Sequence, residues 1–286
     1  MFISKLEKIL EKYKIGEKIT RKEKENFYQG NYNLRNSNVK YSLNCEELRE
    51  YSICYNSIEY FAENYCKIKL RDYQKQALKN YKDNRFNIWL KSRQIGSIIV
   101  TAIFILHEAI FHGKYSVIYS NKKCTSVEIL NKIKRIYENI PFFLQKGLLC
   151  YKNSKISMEN GGEISVIGKS IDTEYSTNTN LGVGRKIDIL FIDETAHIEW
   201  KYYRDFIPAI STYKDSKIIL NSTPNGFNEF YEMVKLSESR RSAFNLMKTY
   251  WWEVEGRDEH WKNEEIKKLG SLKQFLQEYE LNFVQK

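Results

Sequence analysis

Apolar positions in this chain gather into short runs, separated by polar stretches and by segments with helical spacing. Leu6, Ile9 and Leu10 predict a short amphipathic helix near the start. Residues 29–44 are polar and read as a loop. Residues 1–50, rich in Lys, Glu, Asn and Tyr, read as an N-terminal appendage to a main domain over 51–286. Beyond residue 50 the pattern becomes regular. Residues 57–66 and 73–80 predict helices. The run Phe86, Asn87, Ile88, Trp89, Leu90 is that of a strand buried on both faces. Polar residues and Gly96 follow, then an apolar helix to about residue 112 that Gly113 terminates. Residues 115–120 predict a strand, and 127–139 a helix closed by Pro141. Apolar runs at 156–158 and 163–167 flank Glu159-Asn160-Gly161-Gly162, a hairpin signal. Strongly apolar strands are predicted at 187–192 and 217–221, with helices at 202–210 and 227–236. The turn Pro224-Asn225-Gly226 follows the second strand, and 244–250 reads as a last strand. There is no internal repeat and no low-complexity tract.

Strands alternating with helices imply an α/β fold with a mostly parallel sheet flanked by helices. Ligands of such sheets bind beyond the carboxyl ends of the strands. That rule singles out three strand ends. The first reads Lys91-Ser92-Arg93-Gln94-Ile95-Gly96-Ser97 and leads into a helix. Its backbone N–H groups and helix start can cradle phosphates, with Lys91 and Arg93 adding charge. It departs from GxxxxGK[ST]: Ser97 stands where the lysine belongs, and Ile98 where the Mg-binding hydroxyl belongs. Alone, this stretch reads as an ordinary basic strand-to-helix turn. The second strand end is Asp193-Glu194, an acidic pair suited to Mg²⁺ (Asp193) and to activating water (Glu194), or to capping the next helix. The third is Ser222-Thr223-Pro224-Asn225-Gly226, which can sense a terminal phosphate or simply make a turn. Upstream, Tyr73 and Gln74 can stack on and hydrogen-bond to adenine, or form a solvated helix start. The order of the four is more specific than any one of them.

Composition adds little that is decisive. The 286 residues are 42% hydrophobic, enough for one large domain. The formal charge of +10 favours a polyanionic partner. The five cysteines include no CxxC pair, and the four histidines do not cluster near them. That argues against a zinc site and a disulfide framework. The first residues carry no signal-peptide pattern, and the apolar stretch 98–111 is too short to span a bilayer, so the expectation is a soluble intracellular protein without a membrane partner.

From about residue 60 to 283 the chain resembles the ATPase domain of the tailed-bacteriophage large terminase subunit, a DNA-packaging motor. The matching stretches are LRDYQKQAL, LKSRQIG, ILFIDETAHI, KIILNSTPNGFNEFY and LKQFLQEYELNF. The resemblance implies a P-loop NTPase fold of the ASCE type, with ATP and Mg²⁺ as cofactors. It implies adenine recognition at Tyr73 and Gln74, and a deviant Walker A loop over Lys91, Ser92, Arg93, Gln94, Ile95, Gly96 and Ser97. Lys91 and Arg93 would act in catalysis, Lys91 holding the lysine position found at the loop's start in some members. Asp193 is then the Walker B metal ligand, Glu194 the catalytic base, and Ser222 and Thr223 the coupling motif. The implied partners are double-stranded DNA, a portal protein, a small terminase subunit and further copies in a ring, in the cytoplasm of an infected bacterium. Three departures stand out. Ile98 lacks the hydroxyl, unless Ser97 substitutes through a shift in register. The family's Arg-Gly pair is matched only by Val183-Gly184 with Arg185 beyond. No nuclease segment follows before Lys286, which leaves a truncated piece, half of a split subunit, or an ATPase served by a separate nuclease. The alternative functions are a packaging module that binds nucleotide or DNA with impaired hydrolysis, and a helicase-like remodelling ATPase.

Overall fold

The computed structural model describes residues 34–38, 40–168, 186–211 and 213–285. The expected helix at Leu6 to Leu10 and the Val183-Gly184-Arg185 stretch lie outside these residues.

The order of elements is α1 (Cys45–Asn56), α2 (Ile58–Asn64), α3 (Asp72–Asp83), β1 (Phe86–Lys91), α4 (Ser97–His112), β2 (Tyr115–Ser120), α5 (Lys123–Asn139), β3 (Leu148–Lys152), β4 (Lys155–Met158), β5 (Glu163–Gly168), β6 (Ile189–Asp193), α6 (Trp200–Ser211), β7 (Lys217–Ser222), α7 (Glu229–Glu238), β8 (Asn245–Thr249), α8 (Glu259–Leu269) and α9 (Leu272–Tyr279). The strands form one sheet in the order β3-β4-β5-β2-β6-β7-β1-β8. From β5 to β8 every neighbouring pair is parallel, and β3 and β4 add an antiparallel edge.

Alternate residues of the central strands enter separate cores on the two faces. Trp89, Ile118, Phe191 and Ile219 pack with α3, α4 and α5. Ile88, Leu90, Val117, Leu190, Ile192, Ile218 and Leu220 pack on the other face with α7. Burial on both sides explains why these strands are apolar throughout rather than alternating. Helix α4 is buried along almost its whole length. The expected hairpin is β4–β5, closed where Met158 N donates to Gly162 O at 2.8 Å.

Three expectations change. Helix α1 runs through residue 50, so the boundary drawn at 50/51 cuts an element. Part of the expected appendage also docks on the sheet edge. Leu34 is buried, Asn36 bridges to Leu148, and Arg35 pairs with Glu159 at 3.1 Å. Strand β3 escaped notice because it is an edge strand with Leu149 exposed.

Candidate nucleotide site

Strand β7 lies between β1 and β6, so the three singled-out strand ends are adjacent. Leu90 pairs with Ser222, and Asp193 with Asn221. Lys91 is the last residue of β1, and its Nζ lies 3.5 Å from Glu194 Oε1. Asp193 ends β6 and is 1% exposed. Burial pushes its carboxyl up to about 6 against the pull of Lys91, with Glu194 raising it further.

The loop from Lys91 to Ser97 is braced from three directions. Gly96 adopts φ +80° and caps α4, a left-handed conformation open to glycine at no steric cost. Gln94 takes φ +57° and Glu194 φ +51°, so both sides of the site hold a non-glycine residue in the left-handed region. Tyr73 Oη and Gln74 Nε2 both donate to Ile95 O, at 3.0 and 3.1 Å, while Gln74 Oε1 accepts from Arg71 N. Both side chains are almost fully buried. The pair expected at adenine is engaged with the loop itself, and a base contact requires that engagement to be exchanged.

On the third side the chain's last helices hold the loop. Arg93 Nε donates to Glu278 Oε2 at 2.7 Å, and Arg93 N donates to Glu278 O. Arg257 donates to Arg93 O and Gln94 O at 3.1 and 3.2 Å, with its guanidinium over the Trp261 ring. The Arg93 side chain is therefore tied to α9, with no hydrogen bond to Asp193 or Glu194 among the described residues. Arg257 and Glu278 were not singled out from sequence. Glu278 lies inside the LKQFLQEYELNF match, but an arginine or glutamate on a surface helix carries no signature of its partner.

The third strand end is wired to both others. Ser222 Oγ accepts from Ala196 N at 3.0 Å and donates to Thr223 O. Asn225 and Asn228 donate to Ala196 O. One residue earlier, Asn221 Nδ2 donates to Thr101 Oγ1, whose hydroxyl donates to Ser97 O. The end of β7 thus bonds to the segment just after Glu194 and to the first turn of α4. Ser97 begins α4 directly after the Gly96 cap, and Ile98 packs against the core.

Four buried oxygens at these strand ends have no hydrogen-bond partner among the described residues: Ser92 Oγ, Asp193 Oδ1, Glu194 Oε2 and Thr223 Oγ1. Unsatisfied buried groups are rare in folded proteins and mark places that await a partner. Hard oxygen donors around a buried carboxylate and lysine fit Mg²⁺ and phosphate.

The family described as "Terminase large subunit, T4likevirus-type, N-terminal" matches residues 88–286. The chain belongs to the large terminase family. The terminase is similar in structure to the Thermus phage P74-26 large terminase ATPase domain, with a TM-score of 0.59 at 19% identity, over 78% of this chain and 97% of that one. It is similar to the HK97 bacteriophage large terminase with a TM-score of 0.62 at 13% identity, covering 79% of this chain and 54% of that one. A third likeness is to the large terminase of a thermophilic bacteriophage in complex with ADP, with a TM-score of 0.57 at 11% identity, over 76% and 54% of the two chains. The same protein is also known with ATP-γ-S. The present terminase chain spans about half the length of the last two. At these identities the likeness shows the fold, that of a terminase ATPase domain of the P-loop NTPase type.

Proposed function

We propose that this chain is the ATP-hydrolysing motor domain of a viral large terminase, driving double-stranded DNA into a capsid. The observation that carries the reading is the contact of Lys91 with Glu194 beside buried Asp193, with unsatisfied oxygens at three adjacent strand ends. Asp193 and Ser92 would hold Mg²⁺, which would supply positive charge to neutralise the phosphates. Lys91, together with the N–H groups between Ser92 and Ser97, binds those phosphates. Glu194 orients a water through Oε2 and takes its proton as the water oxygen attacks the γ-phosphorus and the bond to ADP breaks. Ser222, bonded to the segment after Glu194, and Thr223 relay the loss of the terminal phosphate. The nucleotide complexes of the thermophilic phage terminase support ATP as the substrate. The family supports double-stranded DNA, a portal protein, a small terminase subunit and a homo-oligomeric ring as partners.

Ile98 favours a second reading, a packaging module that binds nucleotide without efficient turnover. ATP hydrolysis of the wild type and of Glu194→Gln, with and without DNA, separates the two. The motor reading expects turnover that falls by about 10² or more in the variant while ATP binding persists. ATP bound by the wild type without turnover rejects it.

A further inference from the structure

His107, Glu108 and His112 gather at the carboxyl end of α4, roughly 20 Å along the helix from the phosphate loop. His107 is 4% exposed, and its Nε2 lies 2.8 Å from the backbone carbonyl of Cys54. A carbonyl only accepts, so Nε2 carries the proton and Nδ1 presents a lone pair. That Nδ1 is buried without a hydrogen-bond partner. It faces Glu108 Oε1 at 3.8 Å, and His112 Nε2 lies 3.9 Å from the same oxygen. Two acceptors facing each other in a buried site repel unless a cation or proton lies between them.

We propose that His107 Nδ1, His112 Nε2 and the Glu108 carboxylate bind one divalent transition-metal ion of the zinc class. Such ions sit about 2.0–2.2 Å from nitrogen and oxygen ligands, so tetrahedral ligands stand about 3.4 Å apart, and the observed separations close onto an ion with small side-chain rotations. The bond from His107 to Cys54 O is the outer contact that fixes the tautomer and ring of a metal-binding histidine. Phe61 meets the His107 ring edge-on and Phe111 packs tilted against it, while Tyr55 meets the His112 ring edge-on. Lys82, Lys114 and Lys217 line the neighbouring pocket. Burial, followed by His107, Lys114 and Lys82, draws His112 below its ordinary range against the pull of Glu108, leaving the neutral imidazole that a metal needs. Burial raises the Glu108 carboxyl, but His107, His112 and Lys217 outweigh it and hold the group below its ordinary range. A cavity of about 150 Å³ bordered by Tyr55, Lys82, His107 and Glu108 leaves the fourth ligand position to water or a small anion. Imidazole nitrogens select this ion over Mg²⁺, so the site is chemically distinct from that at Asp193. Two histidines and a glutamate on one helix carry none of the cysteine spacing that makes a metal site legible in sequence.

Cobalt(II) titrated into the metal-free full chain tests this. The expected result is one equivalent bound with a visible absorption band of tetrahedral strength, displaced by Zn²⁺ and unaffected by Mg²⁺. His112→Ala and Glu108→Gln, both partly exposed and each checked by circular dichroism for an intact fold, weaken binding by more than about ten-fold. Zn²⁺ raises the melting temperature of the wild type and not of the variants. Absence of the band, its persistence in both variants, or a thiolate charge-transfer band marking a cysteine site overturns the proposal. None of these outcomes depends on ATP turnover.

Discussion

At Gly96 a Cβ would lie 2.7 Å from Gln74 Nε2, on a backbone at φ +80°. Gly96→Ala therefore strains the loop and displaces the side chain that braces it. The expected cost is about 1–2 kcal/mol in urea melts, from the left-handed backbone alone. Adding Gln74→Ala relieves the clash and leaves the strain, so a double-mutant cycle returns a favourable coupling. Asp193 carries a different prediction. Its carboxyl, normally near 3.8, is pushed up to about 6 by burial. Below about pH 3 both folded and unfolded chains are largely protonated there, and the group contributes almost nothing to pH dependence. As pH rises toward 6 the unfolded chain ionises first, and by pH 7 folding has lost on the order of 3 kcal/mol at this position. Urea melts without nucleotide, compared for wild type and Asp193→Asn, move against the wild type as pH goes from 4 to 7. A difference independent of pH contradicts the buried, raised carboxyl. The position of Asp193 and Glu194 at a strand end was legible because the unbroken apolar run of a strand buried on both faces stops at them. The tie of Arg93 to Glu278 was not legible, because the two lie 185 residues apart in the chain.

Among the elements, α8 and α9 turn out to support the site. Helix α8 has no fully buried residue, so its sequence shows no apolar stripe strong enough to announce it. Yet Arg257, just before it, grips the backbone of the phosphate loop, and Glu278 on α9 holds Arg93. Arg257→Ala and Glu278→Gln are expected to weaken ATP binding by about ten-fold each, about 1.4 kcal/mol, measured by isothermal titration. Because both act on one loop, the double variant falls short of the sum. Affinity unchanged in both singles would leave the clamp without a role in binding. The central strands and α4 were legible because apolar length, glycine punctuation and both-face burial coincide. Strand β3 was not, since an edge strand buries too little to show a period.

For the whole molecule, a formal charge of +10 sets the expectation that double-stranded DNA binds through phosphates. Affinity measured by fluorescence anisotropy is expected to fall more than ten-fold between 50 and 200 mM salt, with a log–log slope that counts the contacts. A flat salt response rejects an electrostatic grip on DNA. In the proposed motor, hydrolysis and grip couple through β7, whose Asn221 and Ser222 bond to the first turn of α4 through Thr101 and to the segment after Glu194.

The sequence by itself determined the α/β class, the main strands and the positions of the loop at Lys91 to Ser97 and of the acidic pair, because burial periodicity and strand ends are local; the family was legible through its matching stretches. Only the tertiary structure placed β7 between β1 and β6, turned Tyr73 and Gln74 onto Ile95, and drew Arg93 to Glu278. It also oriented the buried His107 nitrogen toward Glu108. These depend on which elements become neighbours, and packing between segments far apart in the chain decides that.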